Sequence, residues 1–136
     1  MECFKFKYSQ SSGKFFDEED NLICVCYAGN NSRPGVNPTH IQGMNNPKAQ
    51  HLHCIGPLPQ GSYTIEKPIH HPVLGVLAMP LTPDPSNEMY GRDGFYIHGG
   101  SGDPAHNESE GCIIMQRHYR EFDVGLRTPA ILTVEE

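Results

Sequence analysis

Fourteen glycines and twelve prolines are scattered through a chain of 136 residues. Proline removes a backbone donor and clashes with the preceding helical turn, and glycine costs a helix interior about 1 kcal/mol relative to alanine. That scatter caps helix length in most of the chain, so the fold expected is mainly β, built from short strands and loops. Phe4, Phe6 and Tyr8 alternate with Lys5 and Lys7, the period of a half-buried strand, and Ser11, Ser12 and Gly13 supply a turn into a second strand over 14–16. A polar turn at 18–21 leads to a strand over 22–28, so the chain opens as an antiparallel meander. Cys24 and Cys26 inside that strand are read as packing residues on opposite faces.

The turn from Gly56 to Gly61 launches a strand over 62–66, further strands are expected at 73–79, 94–98 and 129–134, and 112–115 is a strand or a strand-to-helix junction. Segments 29–50 and 80–92 are too broken for a regular element and are read as loops. A long loop in a compact domain is more often functional than not. Met115, Tyr119 and Phe122 fall at i, i+4 and i+7, which predicts one short helix over 116–124 near the C-terminus, with Gly125 placed to cap it.

Length and composition exclude several classes. Residues 1–136 suit one domain, with no internal repeat or linker. No apolar run approaches the roughly 18 residues a membrane span needs, so no membrane insertion is expected. Residues 1–8 lack both the basic start and the apolar stretch of a signal peptide. A net charge of -6 argues against nucleic acid as a partner, because phosphate binders concentrate Lys and Arg. Five cysteines cannot all pair within the chain, so at least one thiol stays free.

The chemistry concentrates in two segments. Phe95-Tyr96-Ile97-His98-Gly99 ends a strand on a histidine, and Ser109-Glu110-Gly111-Cys112-Ile113 starts the next element on a cysteine. Thiolate is the nucleophilic form of cysteine, and an ordinary thiol is only slightly ionised at neutral pH, so a neighbouring imidazole that accepts the proton activates it. Gly111 lets the backbone turn tightly and expose amides to a developing oxyanion, and the Gly99 carbonyl is placed to orient the second nitrogen of His98. The spacing alone equally fits a buried small thiol beside a turn.

His98-Gly99 together with Ser109-Glu110-Gly111-Cys112-Ile113 resembles the His-Gly and Ser-x-Gly-Cys signature of the YkuD-type L,D-transpeptidase domain. Segments 8–13, 27–29, 45–50, 56–65 and 128–130 extend the resemblance to the small L,D-transpeptidase/carboxypeptidase effectors of type VI secretion, across nearly the whole chain. The resemblance implies a β-sandwich or barrel and a cofactor-free enzyme acting on peptidoglycan peptide stems. It makes Cys112 the nucleophile, His98 the base and then the acid, Gly99 the orienter and Gly111 part of the oxyanion site, with Ser109 in the catalytic motif. It also implies a cognate immunity protein, a secretion-apparatus carrier, and action in the periplasm of a target bacterium after synthesis in the cytoplasm. Two positions depart from the pattern: Glu110 stands where many members have His, and Ile114 where they have an Arg that binds substrate carboxylate. Arg92 and Arg117 are near enough in sequence to replace that Arg; a solvated surface arginine is the alternative reading of each. Tyr96 shares a face of its strand with His98 and either lines the cleft or joins the core. His106 lies in the intervening loop as a substrate contact or a solvated residue.

Two rival readings remain. His51-Leu52-His53-Cys54, with both histidines on one face of a strand, and His70-His71 offer imidazole and thiolate to a zinc-dependent hydrolase, although no Cys-x-x-Cys or His-Glu-x-x-His pattern is present and no metal is expected. A cell-wall-binding module without catalysis would keep the fold, but it has no need of both His98 and Cys112.

Overall fold

The computed structural model describes residues 3–31, 41–100 and 109–136. Among them ten strands form the body of the fold: β1 (Phe4–Ser9), β2 (Lys14–Asp17), β3 (Leu22–Val25), β4 (Tyr27–Ala28), β5 (Gly61–Ile65), β6 (Ile69–His71), β7 (Gly75–Pro83), β8 (Tyr96–His98), β9 (Ile113–Ile114) and β10 (Ala130–Glu135). A short helix, α1 (Arg117–Phe122), precedes β10. The strands pair in the order β3-β2-β1-β10-β5-β7-β8-β9-β4, with β6 hydrogen-bonded to β7.

The opening meander forms as expected, β1 against β2 and β2 against β3, all antiparallel. The strand expected over 22–28 instead splits at Cys26. β3 stays beside β2, while β4 crosses to pair with β9. Because β3 and β4 lie at opposite ends of the pairing order and only Cys26 separates them in sequence, the sheet curls until its ends meet, a nearly closed barrel. Gly13 packs against Cys26, the residue at which the chain crosses. Its carbonyl accepts the Cys26 N–H at 2.7 Å, its φ is +74°, and a Cβ there would lie 2.0 Å from the Cys26 carbonyl oxygen. Gly13→Ala is expected to cost more than about 1 kcal/mol and to lower Tm by at least about 3 °C. A thermal melt unchanged from wild type would show that this contact does not need glycine.

Cys24 and Cys26 are both buried with their sulfurs 3.7 Å apart, not on opposite faces. Side chains alternate along a strand, so residues two apart share a side. The packing role itself stands, since both belong to the core cluster.

β1 lies parallel to β10, with Phe4 opposite Ala130 and Tyr8 opposite Val134. The inward faces of β1, β2, β5 and β10 bury Phe6, Phe15, Tyr63 and Leu132 almost completely. Each such side chain contributes about 2 kcal/mol of transfer free energy. β7 departs from the expected 73–79: residues 72–74 form the turn of the β6–β7 hairpin with Val73 84% exposed, and the strand runs on through Pro80 to Pro83. The prolines are tolerated because the pairing borrows other groups, Leu81 N–H to Phe95 O and Pro80 O from Glu66 N–H.

The helix is shorter than the expected 116–124, and Phe122 is 63% exposed whereas Arg120 and Val124 are buried. Met115 precedes the helix in extended backbone, so the count begun there does not follow one helical face. A 3-10 turn, Val124–Arg127, continues from it, and Gly125 is needed there for close packing instead of as a left-handed cap: a Cβ would lie 1.9 Å from the Arg120 carbonyl oxygen.

Candidate active site

β8 and β9 run parallel, with Ile97 opposite Ile113 and His98 opposite Ile114. Extending this register one residue back sets Cys112 beside Tyr96, whose N–H reaches Cys112 Sγ at 3.3 Å. His98 and Cys112 line one cleft of about 620 Å³, together with His53, Cys54, His71, Arg92, Asp93, Tyr96 and Glu110 among others. Two parallel strands drawn from segments 14 positions apart thus bring both residues to one cavity. Met115 N–H to His98 O, 2.9 Å, locks the strand ends together.

His98 is 5% exposed, and its Nδ1 lies 2.8 Å from the Gly99 carbonyl oxygen. A carbonyl only accepts, so Nδ1 carries the proton of that bond and Nε2 is the basic nitrogen of the neutral ring. The Cys112 thiol is pushed up to about 11, chiefly by burial; the Tyr96 N–H pulls it down, the Glu110 charge pushes it further up, and the Arg92 charge again pulls it down. At neutral pH the resting residue is therefore a thiol, which reacts as a nucleophile only once a base takes its proton. Because only thiolate is alkylated, the iodoacetamide rate at Cys112 is expected to climb about tenfold per pH unit from pH 7 upward until it levels near the folded value. A plateau at or below pH 8 would mean an ion pair already formed.

The loop that presents the cysteine is held from within. Ser109 is fully buried; its hydroxyl donates to Cys112 O at 2.7 Å and accepts from Gly29 N–H at 2.9 Å and Gly111 N–H at 3.1 Å. Ser109 thus fixes the turn, and the Gly111 amide is engaged with it. Gly111 has φ +132°, and a Cβ would meet the Phe95 ring at 2.5 Å and the Arg92 guanidinium at 2.6 Å, so only glycine fits.

Arg92 is not the solvated arginine of the alternative reading. It is 5% exposed, and its guanidinium donates to the carbonyls of Gln50 (2.5 Å), Pro57 (2.8 Å), Gly56 (2.9 Å) and Glu110 (3.0 Å) while lying 5.1 Å from the Phe95 ring centre. It forms a wall of the cleft and ties the 56–57 turn to the cysteine loop. Arg117 is exposed, 3.6 Å from Glu121, and is not among the cleft-lining residues. Tyr96 lines the cleft. His106 lies outside the described residues.

Two positioning residues, Asn30 and Arg120, gave no signal in the sequence, and His71 entered it only in the zinc reading. Asn30 is fully buried, and its side-chain amide donates to both Cys54 O and Ser109 O at 2.8 Å, joining two loops that flank the cleft. Arg120 donates to Met115 O at 2.9 Å and Val76 O at 2.8 Å, and its guanidinium packs so closely on Gly99 that a Cβ there would lie 2.4 Å away. The ring of His71 stands edge-on to Tyr96 with centres 5.1 Å apart. A polar side chain in a strand or loop reads as surface until the tertiary contacts are known.

Residues 51–53 form a turn, not the strand of the zinc reading, and His53 Nε2 contacts Tyr90 O at 2.8 Å. Among the described residues, no group of three or more His, Cys, Asp or Glu converges as a metal-ligand set. Nor is any described helix long and apolar enough to cross a membrane.

A family model, the Tlde1 domain, matches residues 40–131, a span that holds every cleft residue named above. The chain belongs to the Tlde1 domain family. This agrees with the effector-type L,D-transpeptidase resemblance carried by the His-Gly and Ser-x-Gly-Cys segments. The Tlde1 fold seen here is that of solved L,D-transpeptidases. One from Mycobacterium tuberculosis is 18% identical at TM-score 0.54, covering 98% of this chain and 58% of its own. L,D-transpeptidase 3 from Mycobacterium tuberculosis, solved with a faropenem-derived adduct, is 16% identical at TM-score 0.54, with 98% and 60% covered. One from Xylanimonas cellulosilytica is 12% identical at TM-score 0.51, with 97% and 60% covered. The chain therefore spans about three fifths of the length of these structures. No curated protein matches the sequence.

Proposed function

We propose that this Tlde1 domain is a cysteine enzyme that cleaves peptidoglycan tetrapeptide stems, exchanges their terminal residue or crosslinks them through an acyl-enzyme on Cys112. The observation that carries the reading is that a thiol and an imidazole with its tautomer fixed by Gly99 line one cleft from adjacent parallel strands. The Cys112 thiol gives its proton to His98 Nε2 as sulfur bonds to the carbonyl carbon of the third stem residue, and the π pair moves onto oxygen. With the Gly111 amide engaged by Ser109, the Cys112 N–H is the loop amide assigned to that oxyanion. Collapse breaks the C–N bond, the His98 proton goes to the departing D-alanine nitrogen, and a thioester remains. Water, or the amine of another stem or free D-amino acid, then attacks the thioester with His98 again as base.

Membership of the Tlde1 family supports a further step of the same reading: delivery by type VI secretion, action in the periplasm of a target bacterium, and a cognate immunity protein that blocks the enzyme in the producer.

The test is incubation of wild-type protein and the Cys112→Ala variant with disaccharide tetrapeptide, followed by mass spectrometry. Tripeptide, exchanged or crosslinked product from wild type alone is the expected result, together with a transient mass gain on Cys112. No product from either protein, with the fold intact and the thiol reduced, would reject the stem assignment and favour a wall-binding module.

A further inference from the structure

His71 is the unexplained ring in the cleft. It ends β6 at the entrance to the hairpin turn, half-buried, edge-on to Tyr96, whose own N–H touches the Cys112 sulfur. Its Nδ1 accepts two hydrogen bonds, from Val73 N–H and Leu74 N–H, both 3.0 Å. A nitrogen that accepts carries no proton, so the turn fixes the opposite tautomer to that of His98 and leaves Nε2–H as a donor with no accepting capacity.

Among the described residues, the other cationic or imidazole groups that line the cleft have assigned work. Arg92 donates to four main-chain carbonyls, His53 Nε2 is committed to Tyr90 O, and His98 is held as a base by Gly99. Asp93, Glu110 and the Cys112 sulfur are acceptors. A stem that loses its terminal D-amino acid ends in a carboxylate, and His71 Nε2–H is an uncommitted imidazole donor among the described lining residues to receive it.

Resting on the proposed stem chemistry, we infer that His71 is a specificity-determining residue: its Nε2–H binds the terminal carboxylate of the leaving D-amino acid and seats the scissile carbonyl over Cys112. The hairpin turn presets the tautomer before substrate arrives.

Two substitutions separate this role from mere capping of the turn. In His71→Asn the side-chain oxygen can still accept from the Val73 and Leu74 amides, but the distal donor is gone. In His71→Gln the distal amide donor returns and the cap is lost. Each is assayed on the D-alanyl tetrapeptide and on a tripeptide ethylamide, which has the same scissile bond without the carboxylate. His71→Asn should lower kcat/KM at least tenfold on the D-alanyl substrate, and His71→Gln should recover most of it; neither should change the ethylamide by more than about twofold. Equal losses on both substrates, or a His71→Asn enzyme indistinguishable from wild type, would overturn the assignment. Direct titration of the two peptides onto Cys112→Ala protein, with and without His71→Asn, reads the same preference without turnover. If wild type processes neither peptide yet the titration still favours the carboxylate through His71, the catalytic reading fails and the binding assignment stands. If the titration shows no such preference, the His71 assignment fails whatever the activity.

Discussion

Replacement of His98 by alanine is expected to lower turnover of a stem peptide by about a thousandfold and to leave the barrel folded. On the proposed mechanism the loss follows from the resting state of the Cys112 thiol. With the Cys112 thiol pushed up to about 11, the fraction already ionised at pH 7 is on the order of one in ten thousand, and the base must remove the proton during attack. Raising the pH should therefore rescue the variant in part, because hydroxide supplies thiolate without the imidazole. Losing the Nδ1 bond to Gly99 O costs about 1 kcal/mol. Turnover within tenfold of wild type at neutral pH would remove His98 from the mechanism. A collapse of Tm would instead assign it to the fold.

The second large effect is expected at Arg92. Arg92→Met removes one cation and leaves up to four carbonyls, at Gln50, Gly56, Pro57 and Glu110, without their donor, several of them buried. Unsatisfied buried acceptors cost about 1–3 kcal/mol each and do not add simply, so a loss on the order of 3–5 kcal/mol is expected in denaturant unfolding. The same charge pulls the Cys112 thiol down. In protein that remains folded, the alkylation profile of Cys112 should move to higher pH. Arg92→Lys divides the two contributions: an ammonium keeps the charge but cannot span four carbonyls with a planar fork. It should hold the alkylation profile close to wild type and still lose part of the stability. A methionine variant that unfolds at the wild-type denaturant concentration would show that the guanidinium does not brace the cysteine loop.

Much of the β architecture was legible because alternation is a local signal. Phe4, Phe6 and Tyr8 announce a strand without reference to any other segment, and the turn residues at 11–13 and 56–61 announce where strands begin. Misreadings fell where a neighbour decided. Cys26 reads as the interior of a strand, yet its N–H is the last to bond beside β2, at the Gly13 carbonyl, and the next two residues pair with β9 instead. Pro80 reads as an interruption, yet β7 carries it because its partners bond around it. Phe122 belongs to a helical stripe only if the helix includes Met115, which lies before its first residue, Arg117.

The site divides in the same way. His98, Gly99, Gly111 and Cys112 were visible because the chemistry needs those residue types in contiguous motifs. Arg120 and Asn30 were not, and Arg92 and His71 were visible only in other roles: what all four do lies in carbonyls and amides 2 to 79 positions away. The sequence by itself determined the β class, the motif pair and the family resemblance, all properties of residues a few positions apart. Tertiary structure alone decided that the sheet closes at Gly13 and Cys26, that Arg92 braces the cysteine loop, and that two histidines of opposite fixed tautomer share the cleft, because each depends on which backbone groups the closed barrel delivers.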